Sequence, residues 1–179
     1  MTGTRSAARS KAGGGADEAV LLDARRLELS RARAMARAWA TTIPETSRTG
    51  HAALFARSAL EAFSAEKAPS LRLRPPVAVT GRLDESARQL SVSFGREAAA
   101  LPILEGCHLL TSLYAGLLPG KERSALGAFY TPPALTQRLL DLATEGGVDW
   151  STARVLDPAS GGGAFILEAA SRMRGALQG

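Results

Sequence analysis

The chain has 179 residues, a formal net charge of +5 and an apolar content of 45%. These values suit one globular domain, or one domain and part of another, and they exclude the highly charged, weakly apolar class of chains that stays unfolded. Arginine supplies most of the positive charge, which favours an acidic partner such as nucleic acid.

The rare residue types narrow the chemistry further. Cys107 is the single cysteine, so no intrachain disulfide can form, and we expect a reducing, cytoplasmic compartment with this thiol packed in the core. His51 and His108 have no accompanying cysteine cluster, which argues against a metal site. The apolar stretch 98–118 contains Glu105 and His108, so we expect a buried helix there and no membrane span.

The N-terminal part predicts a mainly α region. Residues 1–17 are mostly Gly, Ser, Ala and basic residues, which predicts a disordered basic tail. Apolar residues at helical spacing then predict a helical N-terminal region over 18–118. Its predicted helices occupy residues 17–40, 51–65, part of 83–102, and 103–118.

Two segments interrupt these helices, and one helix has a competing interpretation. Pro44 and Gly50 predict a break within 41–50, and Pro75 with Pro76 excludes a long helix before residue 81. Within 83–102 some apolar residues alternate as in a strand while others keep helical spacing. We favour a helix, because Asp84 begins a run of acidic residues suited to a first turn.

Residues 119–179 predict a different organisation. A polar surface linker covers 119–127, and a helix follows at 131–147, with Thr131 as its cap. A short strand at 153–159, a glycine turn and a helix over 164–177 complete the chain. The apolar faces expected to be buried are Leu135, Leu139, Leu142 and Ala143 in the first helix, and Ile166, Ala169, Ala170, Met173 and Leu177 in the second. Helix, strand, glycine turn and helix are typical of the opening of an α/β sheet.

The turn itself, in the stretch VLDPASGGGAF (155–165), has the composition of a small-ligand site. Asp157 stands where the predicted strand ends, and glycines let the backbone approach a ligand without a Cβ in the way. A carboxylate beside the free N–H groups of a helix can hold the ammonium and the carboxylate of an amino acid. The dinucleotide fingerprint fits poorly because Ile166 replaces its third glycine, and no Gly-Lys-Ser/Thr follows to make a P-loop.

DPASGGGAF (157–165) resembles the first motif of N6-adenine DNA methyltransferases, Asp-Pro-x-x-Gly-x-Gly-x-Phe, at every fixed position. Upstream, GAFYTP (127–132) resembles the motif that these enzymes place just before their first strand. The resemblance covers about residues 119–179. It implies that 119–179 is the start of an α/β, Rossmann-like, S-adenosylmethionine-dependent methyltransferase fold with an incomplete sheet.

The resemblance also implies a cofactor, S-adenosyl-L-methionine, and residues that bind it. Tyr130 and Thr131 are expected near its methionine moiety, and Asp157 and the turn backbone at its amino acid end. Phe165 is expected beneath the cofactor, although core filling explains a phenylalanine equally well. The complete expected set is Tyr130, Thr131, Asp157, Pro158, Ala159, Gly161, Gly163 and Phe165. No metal is implied.

The family's catalytic tetrapeptide, Asn or Asp followed by Pro-Pro and Tyr or Phe, is absent. The chain contains no asparagine, and its Pro-Pro pairs follow Arg74 and Thr131. No catalytic residue is therefore assigned. We expect the N-terminal part of a site-specific adenine methyltransferase, of restriction–modification type, that is inactive alone. Its expected partners are DNA, through the full-length enzyme, and a complementary C-terminal polypeptide.

Two other functions remain open. An S-adenosylmethionine-dependent enzyme acting on RNA or on a protein glutamine would share these motifs. A non-catalytic helical protein that binds DNA or another partner would explain the basic charge. Within 18–118, the arginines alternate with acidic residues such as Asp23 and Glu28, which favours packing over DNA contact as the role of this region.

Overall fold

The structure, a computed structural model, describes residues 9–70 and 81–178, with side chains from residue 19 onward. It contains helices in this part of the chain and no strand. In chain order they are α1 (Arg9–Thr41), α2 (Glu45–Lys67), α3 (Glu85–Ala99), α4 (Ile103–Leu117), α5 (Gly120–Ala125), α6 (Pro133–Glu145) and α7 (Ala164–Gln178). None of them is long and apolar enough to cross a membrane.

The predicted α/β start is wrong for the described residues. Residues 153–159 form no strand, and Val155 and Leu156 keep 43% and 86% of their surface exposed. A strand exists only when its N–H and C=O groups pair with a neighbouring chain segment, and no described segment is paired with this one in a ladder. The apolar run is also too short to fix a strand without such a partner. The glycine turn therefore follows an irregular segment.

The core lies among α1, α2, α3 and α4. Its largest fully buried side chains include Phe55, Phe94 and Leu113, which come from three different helices. Gly95 allows α3 to approach α2 closely, because a Cβ there would collide with the carbonyl oxygen of Ala59. The mainly helical N-terminal region predicted by the apolar spacing thus has a single hydrophobic core.

Local signals explain where most of these helices begin. The break before α2 is confined to residues 42–44, because Pro44 adopts extended ψ and Gly50 is accommodated inside the helix. The predicted helix within 83–102 is confirmed. Asp84 caps α3 by accepting a hydrogen bond from the Ala87 N–H at 2.8 Å. Hydrogen bonds from Ser86, Ala87 and Trp39 lower the pKa of Asp84 to about 2.

Two features of the helices differ from the sequence-based expectation, and one expectation concerns residues outside the described part. Helix α1 begins at Arg9, inside the tail expected to be unfolded, and residues 1–8 lie outside the described part. The segment with Pro75 and Pro76 also lies outside it. Helix α5 occupies six residues of the expected polar linker.

The packing of α6 and α7 differs from the predicted faces. Leu135, Leu139 and Leu142 remain 42% to 51% exposed, and the buried residue of α6 is Thr136. Thr131 does not cap the helix, because Pro132 occupies the N-cap position and no side chain bonds there. In α7 the expected burial is confirmed for Ala169, but Ile166, Ala170 and Leu177 are exposed and Glu168 is buried instead. The helices meet along a polar contact that apolar periodicity does not reveal.

That contact centres on Arg172 of α7. Its guanidinium bonds Glu168 at 2.9 Å, Asp141 of α6 at 2.7 Å and the carbonyl oxygen of Gln137 at 3.1 Å. It also lies 5.8 Å from the centre of the Trp150 ring. Only 18% of the Arg172 side chain is exposed, so these charge-assisted bonds hold α6 against α7.

Candidate functional site

A cavity of about 200 Å³ opens where three segments meet. The segments are the stretch 129–133, the glycine turn 157–163 with the start of α7, and one face of α4. We call this cavity the turn pocket. Thr136 of α6 completes its lining.

The turn pocket brings together most of the residues that the two motifs single out. Six of the eight expected cofactor-binding residues line it: Tyr130, Thr131, Asp157, Ala159, Gly161 and Phe165. Pro158 and Gly163 do not. Pro158 is exposed, and Gly163 closes the turn by donating its N–H to the Ser160 carbonyl oxygen at 2.6 Å. Residues of the two motifs, which lie 25 or more positions apart in the sequence, therefore line the same cavity.

The glycine turn depends on backbone conformations that other residues rarely adopt. Gly161 and Gly163 have φ values of 51° and 77°, in the left-handed region. Asp157 Oδ1 accepts a hydrogen bond from the Ala159 N–H at 3.1 Å and so holds the beginning of the turn. The first N–H groups of α7 have no acceptor inside their own helix and are available to an anion at this point.

Tyr130 forms part of the pocket lining beside the glycine turn. Its ring lies against the turn, within 4 Å of a Cβ built on Gly161. Burial, reinforced by the neighbouring Tyr114, raises the pKa of the Tyr130 hydroxyl, so this group remains neutral at physiological pH. Phe129 beside it is 70% exposed, with the Arg123 guanidinium 5.9 Å from its ring centre.

Helix α4 contributes a wall that the sequence did not predict as part of the site. Its lining residues are Leu104, Cys107, His108 and Thr111. Their spacing of three, four and seven positions places them on one helical face. The periodicity of these residues is visible in the sequence, but it indicates only that this face of the helix is covered. In the structure the face lines the turn pocket. Cys107, expected in the core, is partly buried: it packs against the hydrophobic core and also lines this cavity.

Two titratable groups of this wall are shifted toward their neutral forms. Burial raises the pKa of the Cys107 thiol, with Lys67 acting weakly against that change. Burial and the nearby Arg33 lower the pKa of His108, and a hydrogen bond to the Thr131 backbone opposes them. The α4 wall of the turn pocket is therefore largely uncharged near neutral pH.

The arrangement suits a zwitterion with an apolar chain. Asp157 offers a carboxylate, α7 offers N–H groups, and Leu104, Phe165 and Leu167 offer apolar surface. A cavity of this volume lies below the range of about 300 to 1,000 Å³ usual for drug-sized ligands, so it fits an amino acid moiety better than a whole nucleoside cofactor. Among the described residues no three His, Cys, Asp or Glu side chains converge as for a metal ion. No family model, curated protein or solved structure matches the chain.

Proposed function

We propose that this chain binds S-adenosyl-L-methionine by its methionine end, as the cofactor-binding part of an adenine-N6 DNA methyltransferase. The observation that carries the proposal is the turn pocket. It gathers Tyr130 and Thr131 from one motif, and Asp157, Gly161 and Phe165 from the other, around a single cavity. Two motifs that resemble one family gain weight when their residues share a surface that a ligand can occupy.

The roles follow from the groups available. One oxygen of Asp157 accepts the Ala159 N–H, and the other is directed to the ammonium group of the ligand. The start of α7 receives the ligand carboxylate through backbone N–H groups. Tyr130 and Phe165 cover the apolar chain next to the sulfonium. The adenosyl part extends outside the cavity, whose volume is about 200 Å³.

The proposal assigns this chain cofactor binding and not methyl transfer. The tetrapeptide that would orient an adenine amino group is absent from these 179 residues. DNA is the proposed acceptor on the basis of the two motifs, and the tetrapeptide is proposed to come from a complementary polypeptide. A cytoplasmic location is expected, since a chain with one cysteine needs no oxidising compartment.

Calorimetric titration with S-adenosylmethionine and with S-adenosylhomocysteine tests the proposal. We expect both to bind the wild-type chain. Asp157→Ala should weaken binding by about tenfold to a hundredfold, because a hydrogen bond to a charged group contributes about 1.5 to 3 kcal/mol. Asp157→Asn should lose less, since the amide oxygen can still accept the Ala159 N–H.

Asp149→Ala is the matched control. Asp149 is an exposed acid that bonds Ser151 and Thr152 outside the turn pocket, so its loss should leave the ligand affinity unchanged. Equal affinities for wild type and Asp157→Ala would overturn the assigned role of Asp157. Absence of heat with either ligand would reject cofactor binding and favour a non-catalytic helical protein.

A further inference from the structure

Helix α4 has two buried or partly buried faces that contact different parts of the structure. Leu110, Leu113 and Leu117 are buried in the hydrophobic core, whereas Leu104, Cys107, His108 and Thr111 line the turn pocket. The helical region thus forms one wall of the cavity in addition to packing against the segments that carry the motifs. This wall and the turn approach each other closely at one pair of residues.

That pair is Thr111 and Gly162. A Cβ on Gly162 would lie 2.6 Å from Thr111 Cγ2 and 3.1 Å from both Thr111 Cβ and Tyr130 Cδ1. Contacts below 3.0 Å are essentially absent from real structures, so only glycine fits here without movement. Gly162 occupies a position at which the Asp-Pro-x-x-Gly-x-Gly-x-Phe pattern accepts any residue. The requirement for glycine at position 162 comes instead from its contact with Thr111 of α4.

The hydroxyl of Thr111 fixes the orientation of this side chain. Its Oγ1 donates toward the carbonyl oxygens of Cys107 and His108, at 3.1 and 3.0 Å. The hydroxyl is therefore held by its own helix, and the methyl group is directed to Gly162 and the cavity. A β-branched residue with its polar atom engaged in this way presents a small, rigid apolar surface.

We propose that α4 is part of the ligand site and that Thr111 is a specificity-determining residue, whose methyl group sets the depth of the turn pocket against Gly162. The inference rests on the proposed function, because the ligand it concerns is the amino acid end of S-adenosylmethionine. An unbranched thioether chain fits beside this methyl group, whereas a larger side chain at position 111 occupies the space of the ligand.

Four variants of the full chain, titrated with S-adenosylhomocysteine, test this inference. Thr111→Ile replaces the hydroxyl group with an ethyl group, a net gain of one heavy atom at the wall, and should weaken binding about tenfold, with an unchanged midpoint of thermal unfolding. Gly162→Ala should weaken binding to a similar extent. Thr111→Ser combined with Gly162→Ala removes the 2.6 Å contact and should recover part of the lost affinity. Gly175→Ala, in α7 with no atom within 4 Å of the added Cβ, should bind like wild type.

The outcomes separate the two proposals. If wild type binds and both Thr111→Ile and Gly162→Ala bind equally well, α4 is not part of the site and the proposed function stands. If affinity and unfolding midpoint fall together in Thr111→Ile, its role is structural and the inference is overturned. If wild type does not bind, both proposals fail. Recovery of affinity in the double variant supports the inference even where Gly162→Ala alone is unstable.

Discussion

His108 is the residue of the turn pocket whose charge changes nearest to neutral pH. Its ring contacts Ser112 at 3.3 Å, Arg33 of α1 lies nearby, and Cys107, Tyr130 and Asp157 line the same cavity. The folded state lowers its pKa below 6.5 through burial and the Arg33 charge, so folding favours the neutral ring. The contribution of His108 to the free energy of unfolding is then fully present above the unfolded pKa, and it is lost as the pH falls from 6.5 through the folded pKa.

We therefore expect the thermal unfolding midpoint to fall as the pH is lowered from 6.5 toward about 5, and His108→Gln to lose part of that dependence. His51→Gln is the matched control, because His51 lies in α2 and outside the turn pocket. Differential scanning fluorimetry across this range measures both variants. An identical pH profile for wild type and His108→Gln would contradict the assigned environment of the ring.

At the scale of helices, two glycines of the same region provide opposite tests of packing. Gly95→Ala places a Cβ against the Ala59 carbonyl oxygen and 2.9 Å from Ala62 Cβ, so α2 and α3 must separate. We expect a loss of about 1 to 3 kcal/mol in the free energy of unfolding. Gly50→Ala, inside α2 with open space around the new Cβ, should stabilise the protein by about 0.5 to 1 kcal/mol.

Urea unfolding followed by circular dichroism measures the free energy of unfolding of both variants. Because the two expected changes have opposite signs, a systematic error in these free energies cannot produce both of them. A neutral Gly95→Ala variant would show that α3 does not approach α2 as closely as described.

The same scale shows which elements the sequence can predict. Helices α3 and α4 follow from periodicity and, for α3, from the acidic residues at its start, because these signals act within one or two turns. Asp84 occupies the N-cap position and not the expected first turn. The strand at 153–159 could not be decided locally, since a strand depends on a partner elsewhere in the chain. The exposed leucines of α6 could not be foreseen either, because Arg172 joins α6 to α7 through polar groups that periodicity does not weigh.

The candidate site also has one part that the sequence predicts and one part that it does not. The turn was predictable because glycine conformation and the motif pattern are local, and six of the eight expected residues of the two motifs line the cavity. The wall from α4 was not, because Thr111 and Gly162 lie about 50 positions apart and only the tertiary fold brings them together.

Over the whole molecule, burial is uneven. The hydrophobic core lies among α1 to α4, whereas α6 and α7 bury few residues and 148–163 is irregular. Amide hydrogen exchange should therefore be slowest in α2 and α3 and fastest, among internal described segments, over 148–163. Mass spectrometry of peptides measures this order. Protection of 148–163 equal to that of α3 would contradict the unequal distribution of the core.

Arg172 stands nine residues beyond Gly163, which corresponds to roughly 13 Å along α7. Its bonds to α6 and its position against Trp150 fix the rotation of α7 about its own axis. That rotation decides which N–H groups at the start of the helix point into the cavity. The helix is therefore held by its neighbour about midway along its length, and the orientation of its first N–H groups, the proposed anion site, is set by contacts that lie outside the turn pocket.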